Sequence, residues 1–202
     1  PPAGISLGIG AHLLSFLFTP DDTATYSPVS ATATLNVVKQ DPVLVWSDPA
    51  DITFGARLTS VQLNPTANVA GIFVFTPPVG TILSAGDNQN LSVTFNPLDA
   101  ANFNIAIITA TINVERAMSQ INWPLPAPIT FGAPLKNDQL NASSATPGTF
   151  VYDPPLGTVL SAGDGQNLSV TFTPNDEVNF TSESAAVSID VLDNDTDNDG
   201  LI

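Results

Sequence analysis

Hydrophobic and polar residues alternate strictly along several segments of this chain. Residues 91–95 read Leu-Ser-Val-Thr-Phe, and residues 31–37, 108–114, 168–172 and 185–191 follow a similar pattern. A period of two places alternate side chains on opposite faces of a β-strand, so these segments predict half-buried strands. Clusters of Pro, Gly, Asn and Asp separate them at the short spacing of β-sandwiches. Since no segment shows a sustained helical period, the sequence predicts an all-β protein.

The chain also repeats itself with an offset of 77 residues and no gap. Ile-Thr-Phe-Gly occupies residues 52–55 and again residues 129–132. The longest match, Leu-Ser-Ala-Gly-Asp-x-Gln-Asn-Leu-Ser-Val-Thr-Phe, occupies residues 83–95 and returns at residues 160–172. Arrays of like modules serve reach, display or adhesion more often than chemistry.

The repeat divides the chain into four predicted segments. Residues 1–39 match only the C-terminal part of a module, residues 40–117 and 118–192 are complete modules, and residues 193–202 are an acidic linker. The two strands of the first segment make a sheet that is marginal in water unless something completes it. Two interpretations stay open: the chain is a window on a longer polypeptide, or strands of another chain complete the first module.

Two aromatic features recur at fixed places. A corner motif, Pro-x-Asp-x-Ala/Val-x-Tyr/Phe, ends at Tyr26, Phe103 and Phe180. It resembles the tyrosine corner of immunoglobulin-like domains, whose hydroxyl bonds back to the backbone, and only Tyr26 carries that hydroxyl. Trp46 and Trp123 open the complete modules, and we expect their indoles to pack against the sandwich or the preceding module.

The succession of Ile-Thr-Phe-Gly, Gln-Leu-Asn, Gly-x-Phe-Val-Phe/Tyr and Gln-Asn-Leu-Ser-Val-Thr-Phe-x-Pro resembles the bacterial Ig-like repeats found in tandem in large secreted and surface, adhesin-like proteins. The resemblance implies tandem immunoglobulin-like β-sandwich modules of about six or seven strands. It further implies an extracellular or cell-surface setting in a bacterium, with neighbouring modules as partners. It implies no catalytic residues.

Composition narrows the range of partners. The chain has 19 acidic and 4 basic residues, a net charge of −15, and only 11% charged residues. Such a balance repels phosphate groups, so nucleic acid and anionic membrane surfaces are poor candidate partners. Cysteine is absent, which excludes disulfides and thiolate chemistry and fits a bacterial surface protein. No apolar run approaches the ~18 residues of a membrane-spanning segment.

The residues needed for catalysis are scarce. His12 is the single histidine, and its counterparts in the other copies are Gln89 and Gln166. Neither a Ser-His-Asp arrangement nor a histidine-based metal site can therefore be assembled. The repeated acids Asp99 and Asp176 fall in turns, where aspartate is favoured because it bonds to the backbone. We expect no enzymatic activity.

The C-terminal linker is the one candidate ligand site. Asp193, Asp195, Asp197 and Asp199 alternate with other residues and precede Gly200, which is the pattern with which a loop wraps Ca²⁺. The run resembles the calcium-binding linkers called thrombospondin type 3 repeats, although a later acidic ligand is missing from residues 193–202. The alternative is a disordered acidic linker.

Calcium could also stiffen the joints between modules. Asp41, Asp48 and Asp51 would suit the first joint, but no acid occurs between Glu115 and Asp138 at the second. We therefore expect joint stiffness to come from packing and proline.

Three functions compete. The leading one is a structural spacer segment of a large extracellular or cell-surface adhesin-like protein. The alternative is a subunit of a self-assembling extracellular filament, whose incomplete first module takes a strand from another chain. The third is a carbohydrate-binding accessory module of a secreted enzyme, which needs exposed indoles at Trp46 and Trp123 to hold a glycan.

Overall fold

The computed structural model of the chain describes residues 4–193, and within these residues it is built of strands and loops without a helix. The all-β prediction is confirmed. The strands in chain order are β1 (Gly10–Phe18), β2 (Val29–Val37), β3 (Leu44–Val45), β4 (Ile52–Thr53), β5 (Thr66–Ala67), β6 (Gly71–Thr76), β7 (Gly86–Pro97), β8 (Ala106–Glu115), β9 (Ala117–Met118), β10 (Ile129–Thr130), β11 (Gly148–Asp153), β12 (Gly163–Pro174), β13 (Phe180–Thr181) and β14 (Glu183–Leu192).

The sheets follow the sequence repeat. Two four-stranded sheets have the equivalent orders β4-β8-β7-β6 and β10-β14-β12-β11. In each sheet the short edge strand, β4 or β10, runs parallel to its neighbour. The strand at the other edge, β6 or β11, pairs antiparallel with its neighbour. Two-stranded sheets join β1 with β2, β3 with β5, and β9 with β13. Several sheets in this arrangement are compatible with a β-sandwich.

The described residues form two compact units. One comprises residues 4–49, 58–81 and 90–111, and the other residues 50–57, 82–89 and 112–193. The first unit holds the hairpin β1–β2 and the pairing of β6 with β7. The second holds the β10-β14-β12-β11 sheet and the β9–β13 pair. The division of the sequence into modules at residues 40, 118 and 193 stays a prediction.

Alternation along the long strands sorts side chains as predicted. In β7 and β12 the apolar positions are buried, at 1% exposure or less, while their polar neighbours are half-buried or exposed. A burial pattern with a period of two is what a strand with one core face produces. The buried residues of the alternating segments 91–95 and 168–172 are Leu91, Val93, Phe95, Leu168, Val170 and Phe172.

The second unit contains a compact apolar core. Six buried residues form it, and Phe150 and Tyr152 of β11 pack against it with six other partly buried side chains. The six are Trp123, Leu135, Leu140, Leu168, Val170 and Ile189. Because they come from loops as well as from β12 and β14, this core ties the first half of the repeat to the second half.

Both indoles are buried, as expected. Trp46 and Trp123 are 8% and 9% exposed, and their Nε1 atoms donate hydrogen bonds to the carbonyl oxygens of Gln62 and Gln139 at 3.1 and 3.0 Å. Each ring meets the second aromatic residue of the Gly-x-Phe-Val-Phe/Tyr strand edge to face. Each indole therefore packs against a strand of its own module and is anchored there by its N–H group.

The first hairpin departs from expectation in its burial. Strands β1 and β2 form as predicted, but the apolar positions of residues 31–37 are exposed in β2 except for half-buried Val37. In the second complete module, residues 121–153 supply the other half of the core. In the first, Phe73 from residues 44–76 packs its ring on that of the buried Phe95. Residues 4–39 contain no counterpart of that half, so the apolar face of the hairpin is uncovered.

Candidate functional site

Within residues 4–193, no group of three or more His, Cys, Asp or Glu residues is placed to hold a metal ion. Nor is there, in the same residues, a helix of the length and hydrophobicity that crossing a bilayer requires. His12 lies half-buried in β1, where its Nε2 donates a hydrogen bond to the carbonyl oxygen of Gly8 at 2.7 Å.

The acids proposed for calcium at the first joint do not come together as a cluster. The Asp41 carboxylate accepts a hydrogen bond from Asn104 Nδ2 at 2.7 Å, and the Asp48 carboxylate accepts one from the Thr111 amide at 2.6 Å. Among the described residues, Asp41, Asp48 and Asp51 therefore do not form the group of three carboxylates that a calcium site at the first joint would need. In the C-terminal linker, Asp193 is exposed, while Asp195, Asp197 and Asp199 lie outside the described residues.

The repeated acids of the corners bond to the backbone, as predicted. The Asp99 and Asp176 carboxylates accept hydrogen bonds from the amide and side chain of Asn102 and Asn179, respectively, at 2.8 to 3.2 Å. In the first corner, hydrogen bonds from the side chain and backbone of Thr25 hold the pKa of the Asp22 carboxyl below its ordinary value. These acids stabilise turns.

The aromatic ring of the corner differs between copies. In each corner its amide bonds to the carbonyl oxygen of the aspartate four residues earlier, at 3.1 Å. Phe103 and Phe180 are half-buried, whereas Tyr26 is 63% exposed. The Tyr26 ring is therefore not packed into a core.

The segment that links the complete modules packs tightly against the last corner. We use the term joint for the contacts that residues 177–181 make with two regions. These are residues 115–118 and the loops at Phe54 and Ala85. The Phe54 and Phe180 rings meet edge to face with centroids 5.4 Å apart, and Asn179 Oδ1 accepts a hydrogen bond from the Ala85 amide at 2.7 Å. Strand β9 pairs with β13. Packing and backbone pairing thus hold the joint.

In two copies of the repeat, a basic side chain also donates a hydrogen bond to a backbone carbonyl oxygen of the corner. Arg116 Nη1 donates to the carbonyl oxygen of Glu177 at 3.2 Å, and at the equivalent place Lys39 Nζ donates to that of Ala100 at 2.7 Å. Both cations precede a segment that pairs with the corner. Two of only four basic side chains therefore serve the backbone at equivalent positions, which the sequence pattern does not reveal.

An uncovered apolar surface lies on the hairpin. We call the face formed by Leu14, Phe16, Phe18, Ala31, Ala33 and Leu35 the open face. The cross-strand register places Leu14 opposite Ala33 and Phe16 opposite Ala31. Phe16 and Phe18 are 63% and 56% exposed, whereas Phe95, the repeat counterpart of Phe18, is 1% exposed.

The complete modules differ from each other in one polar contact beside the core. In the second, the Tyr152 hydroxyl accepts a hydrogen bond from the Ala142 amide at 2.9 Å, and burial raises the pKa of Tyr152 despite that bond. In the first, the same positions hold Phe75 and Pro65, which carry neither a hydroxyl nor an amide hydrogen. The second module therefore has both the amide donor and the hydroxyl acceptor, and the first module has neither.

We compared the chain with protein-family models and with curated proteins, and neither comparison gives a match. The architecture and the surfaces described above therefore carry the functional argument by themselves. One candidate loses its basis on these surfaces: because Trp46 and Trp123 are buried, they cannot form the exposed platform on which the carbohydrate-binding hypothesis depended.

Proposed function

We propose that this chain is a structural spacer: tandem immunoglobulin-like modules that hold other parts of a large extracellular or cell-surface, adhesin-like protein at a distance. The observation that carries this proposal is the joint. A core is enough for a single repeat to fold, whereas a spacer built of several repeats also needs defined contacts between successive modules. The ring pair of Phe54 and Phe180 and the bond from Ala85 to Asn179 supply such contacts.

The chemistry of the surface supports the same role. In residues 4–193 the acids of the corners are engaged in turns, and no cluster of metal-binding side chains occurs. The net charge of −15 resists association with anionic surfaces and with other copies. A polar, acidic array fits the surface of a bacterial spacer.

Small-angle scattering of the purified chain, with and without EGTA, tests the spacer proposal. We expect a monomeric rod of constant length at all concentrations. A particle too compact for modules in a line would contradict the proposal.

Calcium belongs to this proposal only at the C-terminal linker. Asp193, Asp195, Asp197 and Asp199 would supply carboxylate oxygens to Ca²⁺ in an Asp-x-Asp-x-Asp-Gly loop. Isothermal titration with Ca²⁺ should show binding that Asp197→Asn weakens. The matched control is Asp164→Asn, an acid outside the linker, which should leave binding unchanged. No heat of binding at millimolar Ca²⁺ would remove calcium from the account.

A second candidate function rests on the open face. Two strands with an uncovered apolar face and unpaired edges form a surface to which another chain can add strands. In this case the protein is a subunit of an extracellular filament in which another chain completes the first module. Concentration-dependent growth of the scattering mass would favour this candidate over the spacer.

A further inference from the structure

The first complete module carries exposed aliphatic side chains on the outward face of its four-stranded sheet. In β6 the outward positions are Ile72 and Val74. Ile105, next to β8, and Ile107 within it are outward as well, and each of the four residues is more than half exposed. We call the surface of these four residues the side face. Side chains of this number and size present roughly 400 Å² of apolar surface, which lies in the range of functional patches on monomers.

The fold itself does not require aliphatic residues on this face. Three of the four have a polar counterpart in the second module at the same strand positions, namely Thr149, Ser182 and Ser184. These counterparts are exposed although a complete module precedes them, so the face belongs to the surface of a module. Threonine favours strands about as well as isoleucine does. The aliphatic side chains therefore point to a contact rather than to strand formation.

The two pairs of aliphatic residues flank β7. The sheet order places β7 between β6 and β8, and the register puts Ile72 opposite Asn96 and Val74 opposite Thr94. Neighbouring strands lie about 4.8 Å apart, so the two aliphatic rows are separated by about 10 Å, with a polar row between them. An α-helix with its side chains is about 10 Å across. A helix that lies along β7 therefore contacts both rows.

The border of the side face is acidic. The Asp41 carboxylate accepts a hydrogen bond from Asn104, which immediately precedes Ile105, at 2.7 Å. The Asp48 carboxylate accepts one from the Thr111 amide, farther along β8, at 2.6 Å. These two hydrogen bonds fix a negative charge on either side of the aliphatic row at β8.

The face itself is uncharged, which distinguishes it from its counterpart. The outward positions of the second module include Asp153 and Asp190, where the first module has Thr76 and Asn113. Lys39 lines one cleft with Asp41 and Ile105, but its ammonium group already donates to the Ala100 carbonyl oxygen at 2.7 Å. An apolar centre with an acidic border calls for a partner with apolar side chains between basic ones.

We propose that the side face binds a basic amphipathic helix of another protein. Its apolar stripe lies along β7 against both aliphatic rows, and its lysine or arginine side chains reach Asp41 and Asp48. A standard protein–protein interface buries about 800 Å² on each partner, so a face of half that size suits a short segment. A second copy of this chain would instead bring two acidic borders together. The site gives the chain a partner along its side and does not depend on the spacer role.

The test uses the whole chain, with isoleucine and valine methyl groups labelled for NMR, and a synthetic peptide that repeats Leu-Lys-Lys-Leu-Leu-Lys-Leu twice. This pattern places the leucines on one face of a helix and the lysines on the other. A nitroxide on the peptide broadens the signals of nearby methyl groups. We expect the methyl signals of the side face to be lost at saturating peptide, while Ile5 and Ile9 report separately on the hairpin.

A triple variant gives the side face the residues of the second module: Ile72→Thr, Ile105→Ser and Ile107→Ser. Because the same fold already accepts these residues, the variant should fold, and thermal unfolding checks this. Peptide binding, followed by the Val74 methyl shift, should weaken by about tenfold or more. The matched control replaces three residues of the second module that are also more than half exposed, and it should leave binding unchanged: Leu125→Ser, Leu156→Ser and Val159→Thr.

The acidic border is tested by removing charge without changing shape. Asp41→Asn with Asp48→Asn should weaken peptide binding by about threefold or more and reduce its dependence on salt. Asp138→Asn with Asp164→Asn removes the same charge from the second module and should have a smaller effect.

Unchanged affinity of the triple variant, or broadening confined to Ile5 and Ile9, would overturn the proposal. Equal binding of a peptide with serine in place of leucine would also overturn it, because charge alone would then explain the affinity. Concentration-dependent shifts of the same methyl groups without peptide would show that a second copy occupies the face, which would equally overturn it.

Discussion

The hydrogen bond from Ala142 to Tyr152 offers a sharp test of how the second module is stabilised. Tyr152→Phe removes only the hydroxyl and leaves the ring, which meets Trp123 at a centroid distance of 5.4 Å. The Ala142 amide then loses the acceptor that lies 2.9 Å away. A hydrogen bond contributes about 0.5–1.5 kcal/mol net, and an orphaned buried donor costs about 1–3 kcal/mol. Since Ala142 is half-buried, we expect a loss of about 1 kcal/mol.

The first module supplies the matched controls. Phe75→Tyr adds a hydroxyl where Pro65 has no amide hydrogen, so it should bring no stability. The double variant Tyr152→Phe, Ala142→Pro copies the pair found in the first module and removes the orphaned donor. In a double-mutant cycle we expect a coupling energy of about 1 kcal/mol between the two positions.

Urea unfolding followed by tryptophan fluorescence measures these differences. In a Trp46→Phe background, Trp123 is the sole indole and reports on the second module. A loss of about 1 kcal/mol corresponds to a fall in Tm of roughly 4–8 °C for a domain of this size. Tyr152→Phe with an unchanged midpoint, or a stabilising Phe75→Tyr, would refute the reasoning.

The same hydroxyl makes the second module sensitive to alkali. Burial raises the pKa of Tyr152 in the folded state above its ordinary value of 10.0. The folded state therefore holds the proton more tightly, and its stability is full below pH 10 and falls as pH rises through the folded pKa. Tyr152→Phe should remove this decline when unfolding midpoints are compared between pH 8 and 11. A decline of equal size in the variant would contradict the assignment.

The remaining predictions concern single contacts, read by thermal unfolding. Gly148→Ala should cost the second module about 1–3 kcal/mol through its clash with the facing ring, while Gly8→Ala, in open space, should be neutral; equal effects would refute the clash. Ser119 has a buried hydroxyl without a hydrogen-bond partner, so Ser119→Ala should stabilise by up to about 1 kcal/mol, and destabilisation would mean that the hydroxyl has a partner. Asn179→Ala removes the side-chain hydrogen bonds to Asp176 in the corner and to Ala85 in the joint, whereas Asn102→Ala removes only the bond to Asp99 in its corner. Asn179→Ala should therefore lower Tm more than Asn102→Ala, and an equal or smaller fall would contradict a stabilising role of the joint.

Local patterns were sufficient for the strands and the repeat. The alternation in residues 91–95 and 168–172 predicted both the strands and their buried faces, because one-sided burial forces a period of two. The buried indoles of Trp46 and Trp123 followed from the size of their apolar surface.

Contacts between residues far apart in the chain could not be predicted from local sequence patterns. Residues 31–37 carry the alternation of a core strand, yet all of them except half-buried Val37 are exposed, because burial depends on a second half-module rather than on the strand itself. The acids Asp41 and Asp48 looked like ligands by composition, but a neighbouring amide donor engages each of them. The ring pair of Phe54 and Phe180 joins residues 126 positions apart, and no local period encodes such a contact.

The central claim is that tandem, independently folded modules keep a fixed spacing, and pulling on a single chain tests it most directly. A module of about 77 residues releases roughly 20–25 nm of chain when it unfolds, at about 3.3–3.6 Å per residue less its folded length. The account predicts two force peaks per chain, each followed by this increment, with the hairpin contributing no peak. A single peak that releases both modules together, or extension without peaks, would contradict it.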